Sequence, residues 1–240
     1  MKRLILTVAL GVSLLTAVAL GDAGDYTVGA MVWNTTIPFY SNFLKGLQDA
    51  ADEYNINLLI RDGQGDLATE VAVIQQFIAQ GVDLIIVTPS DAQGIVPVIQ
   101  QANAAGIPVI AANNRVGEGA RVVTFVGADD YFFGRRQAEL LIQAVGETAK
   151  FAYLMGHLGT SPQILRRQGL LDYLEDYPGV EMLTEVSEDW DNAKALAAVQ
   201  DILAKYPVGK IDAIVVQGPE GVTGAEYAAR IGRDDVKFIL

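Results

Sequence analysis

Past residue 25 the chain alternates between two hydrophobic periods. Short β-branched runs at 26–33 (YTVGAMVW), 56–60 (INLLI), 83–87 (DLIIV), 107–112 (IPVIAA) and 122–126 (VVTFV) predict strands. Between them apolar residues recur at helical spacing. Phe43, Leu47, Ala50 and Tyr54 share one face of a helix whose other face carries Lys45, Gln48, Asp49 and Asp52. Further helices are expected over 67–80 and from about 91 to 105. The second half repeats the alternation, with strands at 150–155, 180–186, 212–216 and 236–240 and helices over about 131–145, 162–176, 192–205 and 221–231.

Strand–helix alternation implies parallel sheets with helices on both faces, joined by right-handed crossovers. The expected fold class is therefore α/β. In such sheets ligands bind beyond the carboxyl ends of the strands. The stretch NTTIPFYSNF, Asn34 to Phe43, falls at such an end and crowds a proline and two aromatics, Phe39 and Tyr40, into the seam between strand and helix. A core aromatic more usually sits inside the periodic stretch, so this pair is read as facing a binding edge. The last run, VKFIL, is a strand with no helix after it, and the natural chain is expected to continue past Leu240.

Composition narrows the partners. The 240 residues include 17 Lys and Arg against 29 Asp and Glu, a formal charge of −12. Phosphate binding needs clustered basic residues, which argues against a nucleic-acid partner. The balance fits a soluble protein with a small or neutral ligand. Absence of cysteine rules out disulfides and thiolate catalysis. Lys2 and Arg3 precede an apolar stretch over 4–20, and small residues follow (LGDA). That is the layout of a secretory signal peptide over 1–23. A membrane anchor is the alternative, since the stretch is nearly long enough to span. Cleavage places the mature protein in the periplasm or outside the cell.

Several segments, in this order and spacing, carry a resemblance: IPFYSNFLKGLQDAADEYN, DGQGDLATEVAVIQQFIAQGVDLIIVTPSD, ANAAGIPVIAANNR, VGADDYFFGRRQAELL, GTSPQILRRQGLLDYL and DAIVVQGPEGVTGA. The region 26–240 resembles the periplasmic sugar-binding proteins of ABC importers, the type I group of ribose-, allose- and galactose-binding proteins. The resemblance implies two lobes, each a parallel sheet flanked by helices, closing on one small ligand. It divides the chain into an N-terminal lobe over 24–128 and a C-terminal lobe over 129–240, the second incomplete. In the family the chain crosses between lobes three times. Here the first crossing falls near 128–130 and the second would lie beyond Leu240.

The same resemblance implies the site. Phe39 and Tyr40 match the aromatic pair that stacks on a sugar ring, whose C–H groups offer an apolar patch; the alternative is that one of them packs against the first helix. Asn113 and Asn114 stand where ribose-type members have Asp-Arg. As amides they give and take hydrogen bonds to hydroxyls, and their alternative is a turn. Arg166, three residues before Gly169, matches a cleft arginine able to bridge two hydroxyls. Arg167 reads as a surface residue paired with Asp172 or Glu175. Trp190 in SEDWDNA matches a cleft aromatic of the second lobe. Gln217 is set against a missing contact at Gly218, where the family usually has Asn. Because Ile37, Asn113, Asn114 and Gly218 depart from the ribose pattern, ribose itself is not carried over.

No catalytic, metal or cofactor site is expected. DGQGD opens like a calcium loop, but its twelfth position is Val73, and Asp66 reads as a helix cap. His157 and Ser161 lack an evident acid partner. The function implied is capture of a sugar or polyol by a monomer and its delivery to an ABC permease. The alternative is a ligand-sensing module of the same fold that signals to a receptor or kinase.

Overall fold

The computed structural model describes residues 26–240. The signal peptide expected over 1–23 lies outside the described residues. Strands and helices alternate throughout: β1 (Thr27–Val32), α1 (Pro38–Glu53), β2 (Asn57–Asp62), α2 (Leu67–Gln80), β3 (Leu84–Thr88), α3 (Val96–Ala104), β4 (Val109–Ala112) and β5 (Thr124–Val126) make the first lobe. The second follows with α4 (Asp130–Val145), β6 (Lys150–Met155), α5 (Ser161–Leu174), β7 (Glu181–Ser187), α6 (Asn192–Lys205), β8 (Ala213–Val216), α7 (Gly221–Arg230) and β9 (Lys237–Ile239).

Each lobe has its own wholly parallel sheet, in the order β2-β1-β3-β4-β5 for the first and β7-β6-β8-β9 for the second. Both orders reverse beside the lobe's first strand. A crevice opens there at the carboxyl ends, because the flanking connections leave to opposite faces. Among the described residues no helix is long and apolar enough to cross a membrane.

Alternation along the strands fills both faces of the second sheet. Phe151, Tyr153, Ala213 and Val215 pack with Leu141 and Leu170 of α4 and α5, while Ala152, Leu154, Ile214 and Val216 meet Val199, Ile202 and Ala228 of α6 and α7. In the first sheet Met31, Ile85, Val87 and Val109 pack on Ile74, Phe77 and Ile99 of α2 and α3. The face under α1 is thinner: Tyr40 and Ala51 are its buried residues, and Tyr40 joins Val32 and Trp33 in a small separate cluster.

Helix starts differ from the periodic reading where local chemistry intervenes. Proline at the first helical position lets α1 begin at Pro38, so Phe39 and Tyr40 lie in its first turn and not in the seam before it. The α3 helix begins at Val96, not near 91. The Asp91 carboxylate accepts from the N–H groups of Gln93 at 2.9 Å and Gly94 at 2.7 Å, holding 91–95 as a turn. Asp66 caps α2 through Thr69 N–H at 2.8 Å, as expected.

One helix pair is unusually close. A Cβ built on Gly134 of α4 would fall 1.9 Å from the Arg166 carbonyl oxygen, and one on Gly169 of α5 would fall 2.0 Å from that of Tyr131. The two backbones touch at these glycines, which sets Arg166 of α5 beside Asp130 at the start of α4.

Candidate functional site

A cavity of about 450 Å³ lies at the carboxyl ends of both sheets. All seven residues singled out from the sequence line it: Phe39, Tyr40, Asn113, Asn114, Arg166, Trp190 and Gln217. Trp33, Phe133, Pro162 and Glu220 also line it and were not singled out. The signal for Trp33 and Glu220 was positional, since each directly follows or nearly follows a strand end.

The first lobe's wall is aromatic. Phe39 is 55% exposed, whereas Tyr40 is 1% exposed, edge-on to Trp33, Phe39 and Phe43. Phe39 presents an open face, and Tyr40 packs in the small cluster under α1 while its ring borders the cavity. Burial pushes the Tyr40 hydroxyl up to about 12, against the pull of Thr88 and Asn113 nearby, and it makes no well-formed hydrogen bond to either. The indole N–H of Trp33 is likewise buried without a partner. Asn113 adopts a left-handed φ of 58°, which asparagine tolerates, and donates to Asn114 Oδ1 at 2.8 Å. Asn114 donates to the Pro89 carbonyl at 2.8 Å. The two amides are turn residues and cavity residues together.

The second lobe's wall carries the charge. Arg166 Nε and Nη2 reach Asp130 Oδ1 at 2.9 and 2.8 Å, and Nη1 donates to the Gln217 carbonyl. Its guanidinium lies 4.4 Å from the Phe133 ring centroid and 5.5 Å from that of Trp190. Burial pushes the Asp130 carboxyl up, and Arg166 pulls it back in part. Arg167 pairs with Glu185 of β7 at 2.8 Å, not with Asp172 or Glu175 as the sequence suggested, because β7 runs alongside. Asp172 instead accepts from the Tyr131 hydroxyl at 2.9 Å.

Gln217 is fully buried and its amide is committed inside the lobe. It donates to the Tyr153 hydroxyl at 2.8 Å and the Gln163 carbonyl at 2.9 Å, and accepts from Gly156 N–H at 2.9 Å. It shapes the wall and offers a ligand little. Trp190 lies over glycine: a Cβ on Gly156 would fall 1.9 Å from its ring, and one on Gly218 3.1 Å from it. Gly156 is therefore the room that Trp190 occupies, and at Gly218 a side chain would meet the Glu220 carboxylate first, at 2.2 Å.

The lobes touch beside the cavity. Ala92 N–H donates to the Gly159 carbonyl at 3.1 Å, and Arg115 N–H donates to Ser161 Oγ at 2.6 Å. His157, 3.4 Å from Asp189, packs on Trp33 with ring centroids 5.2 Å apart. It borders a second, more polar hollow of about 570 Å³ that shares Trp33, Ile37 and Trp190 with the first.

A family model described as periplasmic binding protein domain matches residues 28–239. The ribose import binding protein of Bacillus subtilis (strain 168) is 28% identical over 219 residues, covering 91% of this chain and 70% of that protein. The xylitol-binding protein of Mycolicibacterium smegmatis is 27% identical over 230 residues, covering 94% of this chain and 65% of that one. A crystal structure of an ABC transporter solute binding protein from Bacillus halodurans C-125 with bound myo-inositol superposes with a TM-score of 0.83 at 27% identity, covering 91% of this chain and 76% of that chain.

Proposed function

The chain belongs to the periplasmic binding protein domain family, and from that membership we propose that it is an exported solute-binding protein that captures a sugar or related polyol between its lobes. The observation that carries this reading is convergence. Seven residues drawn from five separate segments, on both lobes, border one cavity.

Phe39 and Trp190 take the C–H faces of the ligand, with Tyr40 packed edge-on behind Phe39. Asn113, Asn114 and Arg166 take its hydroxyls, and Gln217 holds the wall. Ligand bridges both lobes only when they meet, so binding favours the closed form by its differential affinity, with the crossing near 128–130 as hinge. A micromolar dissociation constant corresponds to about 8 kcal/mol, within reach of two or three stacked rings and several hydroxyl pairs. The closed monomer then presents its ligand to an ABC permease.

Relatives named for ribose import and xylitol binding support a polyhydroxylated ligand. Titration calorimetry of the full chain against pentoses, hexoses and polyols is the test. We expect one saturable site for at least one member, and no heat with any of them overturns the reading. Uptake of the identified ligand by cells deleted for the chain tests delivery to a permease.

A further inference from the structure

The space between the lobes is two hollows of unlike character. The inner one, about 450 Å³, is walled by Phe39, Phe133, Pro162 and Trp190, and most of its polar groups serve the protein. The Gln217 amide is committed inside its lobe. Asn114 donates to the Pro89 carbonyl and accepts from Asn113, and Arg166 holds Asp130 and the Gln217 carbonyl. What remains for a ligand is the Asn113 acceptor and the unused donors of the guanidinium. The outer hollow, about 570 Å³, is the reverse. The Gln64 and Asn192 side-chain amides line it, on exposed residues, with no hydrogen-bond partner among the described residues. His157 turns Nδ1 to Asp189 at 3.4 Å, and its Nε2 is without a partner among the described residues. Lys194 pairs with Asp189 at 2.7 Å, and the Asp191 carboxylate caps α6, so these charges are already answered.

The two hollows meet at Trp33, Ile37 and Trp190, which line both. Each falls within the usual range of small-ligand sites, about 300–1,000 Å³. The backbone around the outer one is held in uncommon conformations. Gln64, Asp189 and Trp190 have left-handed φ of 56°, 57° and 59°, a costly choice for a side chain as large as tryptophan's. The loop is fixed there from several sides. Asp189 accepts from Ser187 Oγ at 2.8 Å and Lys194 Nζ at 2.7 Å, and Asp191 N–H donates to the Glu188 carbonyl at 3.0 Å. Strain so held is usual where a loop positions side chains for a ligand.

We propose that the ligand has two units: one ring in the inner hollow, against Phe39 and Trp190, and a second, neutral polyhydroxylated unit in the outer one, meeting Gln64, Asn192 and His157. This rests on the carbohydrate reading and narrows it to a disaccharide or comparable glycoside. One ring alone would use the inner hollow and leave the outer amides to water. A second ring offers those amides, which both donate and accept, hydroxyls that do the same. Gln64 belongs to the first lobe and His157 and Asn192 to the second, so the added unit also bridges the lobes and favours closure.

Calorimetry of the full chain with matched probes tests this: maltose, cellobiose, lactose and melibiose, each against its free monosaccharides and their methyl glycosides. The expected result is that at least one disaccharide binds more tightly than its one-ring probes by about tenfold or more. In Gln64→Ala and in Asn192→Ala, with folding checked by thermal melting, that advantage falls about threefold or more, the usual weight of a lost hydrogen bond. Should one variant not fold, the other decides. An advantage that survives these substitutions overturns the outer site. One-ring probes binding within about tenfold of every disaccharide overturn the inference and leave the carbohydrate reading intact. No binding by either set overturns both.

Discussion

Across the cleft the two walls are built differently. The first lobe presents rings and amides: Trp33, Phe39 and Tyr40 with Asn113 and Asn114, none of them charged. The second presents Arg166, Gln217 and Glu220, with Asp130 behind as the partner of the guanidinium. In the first wall Phe39 has an open face, whereas Trp33 and Tyr40 are buried against each other. Polar groups in the second are tied mostly to one another. Substitution of Phe39 should therefore alter affinity before stability, and substitution of Arg166 or Gln217 should alter stability before affinity.

The largest expected break is Arg166→Met. It strands the Asp130 carboxyl, which is 2% exposed, and should cost about 4 kcal/mol of unfolding free energy by denaturant titration. Asp130→Asn in the same chain should recover much of that loss. Gln217→Leu, which leaves three buried partners unpaired, should cost about 3 kcal/mol by the same measurement.

A pH series separates the lobes. Burial holds Glu188 at about 8, above its ordinary 4.5, so the folded state keeps a proton that the unfolded chain has shed. Stability should then fall as pH climbs from about 4.5 towards about 8. Glu188→Gln should flatten this slope. Glu70 in the first lobe, raised to about 7 by burial while accepting from Ser90 N–H, adds a slope of the same sign that ends sooner. The smallest effect belongs to Phe39→Ala. It should weaken ligand binding by about 1 kcal/mol and leave the melting temperature unchanged. A loss of stability in that variant would erase the contrast between the walls.

Much of this was legible in sequence. The β-branched runs marked the strands because each sheet is covered by helices and must stay apolar. Phe39, Asn113, Arg166 and Trp190 are legible through the resemblance of their segments to the periplasmic sugar-binding proteins, and parallel sheets bring those segments to one edge. What escaped notice were effects of local geometry. The turn made by Asp91 is a side-chain event that delays α3 without disturbing the apolar period. Trp33 looked like the end of a strand, and its indole is a wall only because α1 turns back over it. Glu220 looked like the start of a helix. Its place in the wall depends on Gly218 having no side chain, a fact about empty space that no periodicity records.

The glycines at which α4 and α5 meet have a consequence for how this protein can change over time. The guanidinium's position is specified by two hydrogens that are not part of the cavity's lining, at Gly134 and Gly169. A lineage that exchanges either for alanine would wedge the helices apart and displace Arg166 without altering a single lining residue. New ligand preferences should therefore arise by exchanging the rings and amides opposite, while this glycine seam stays frozen.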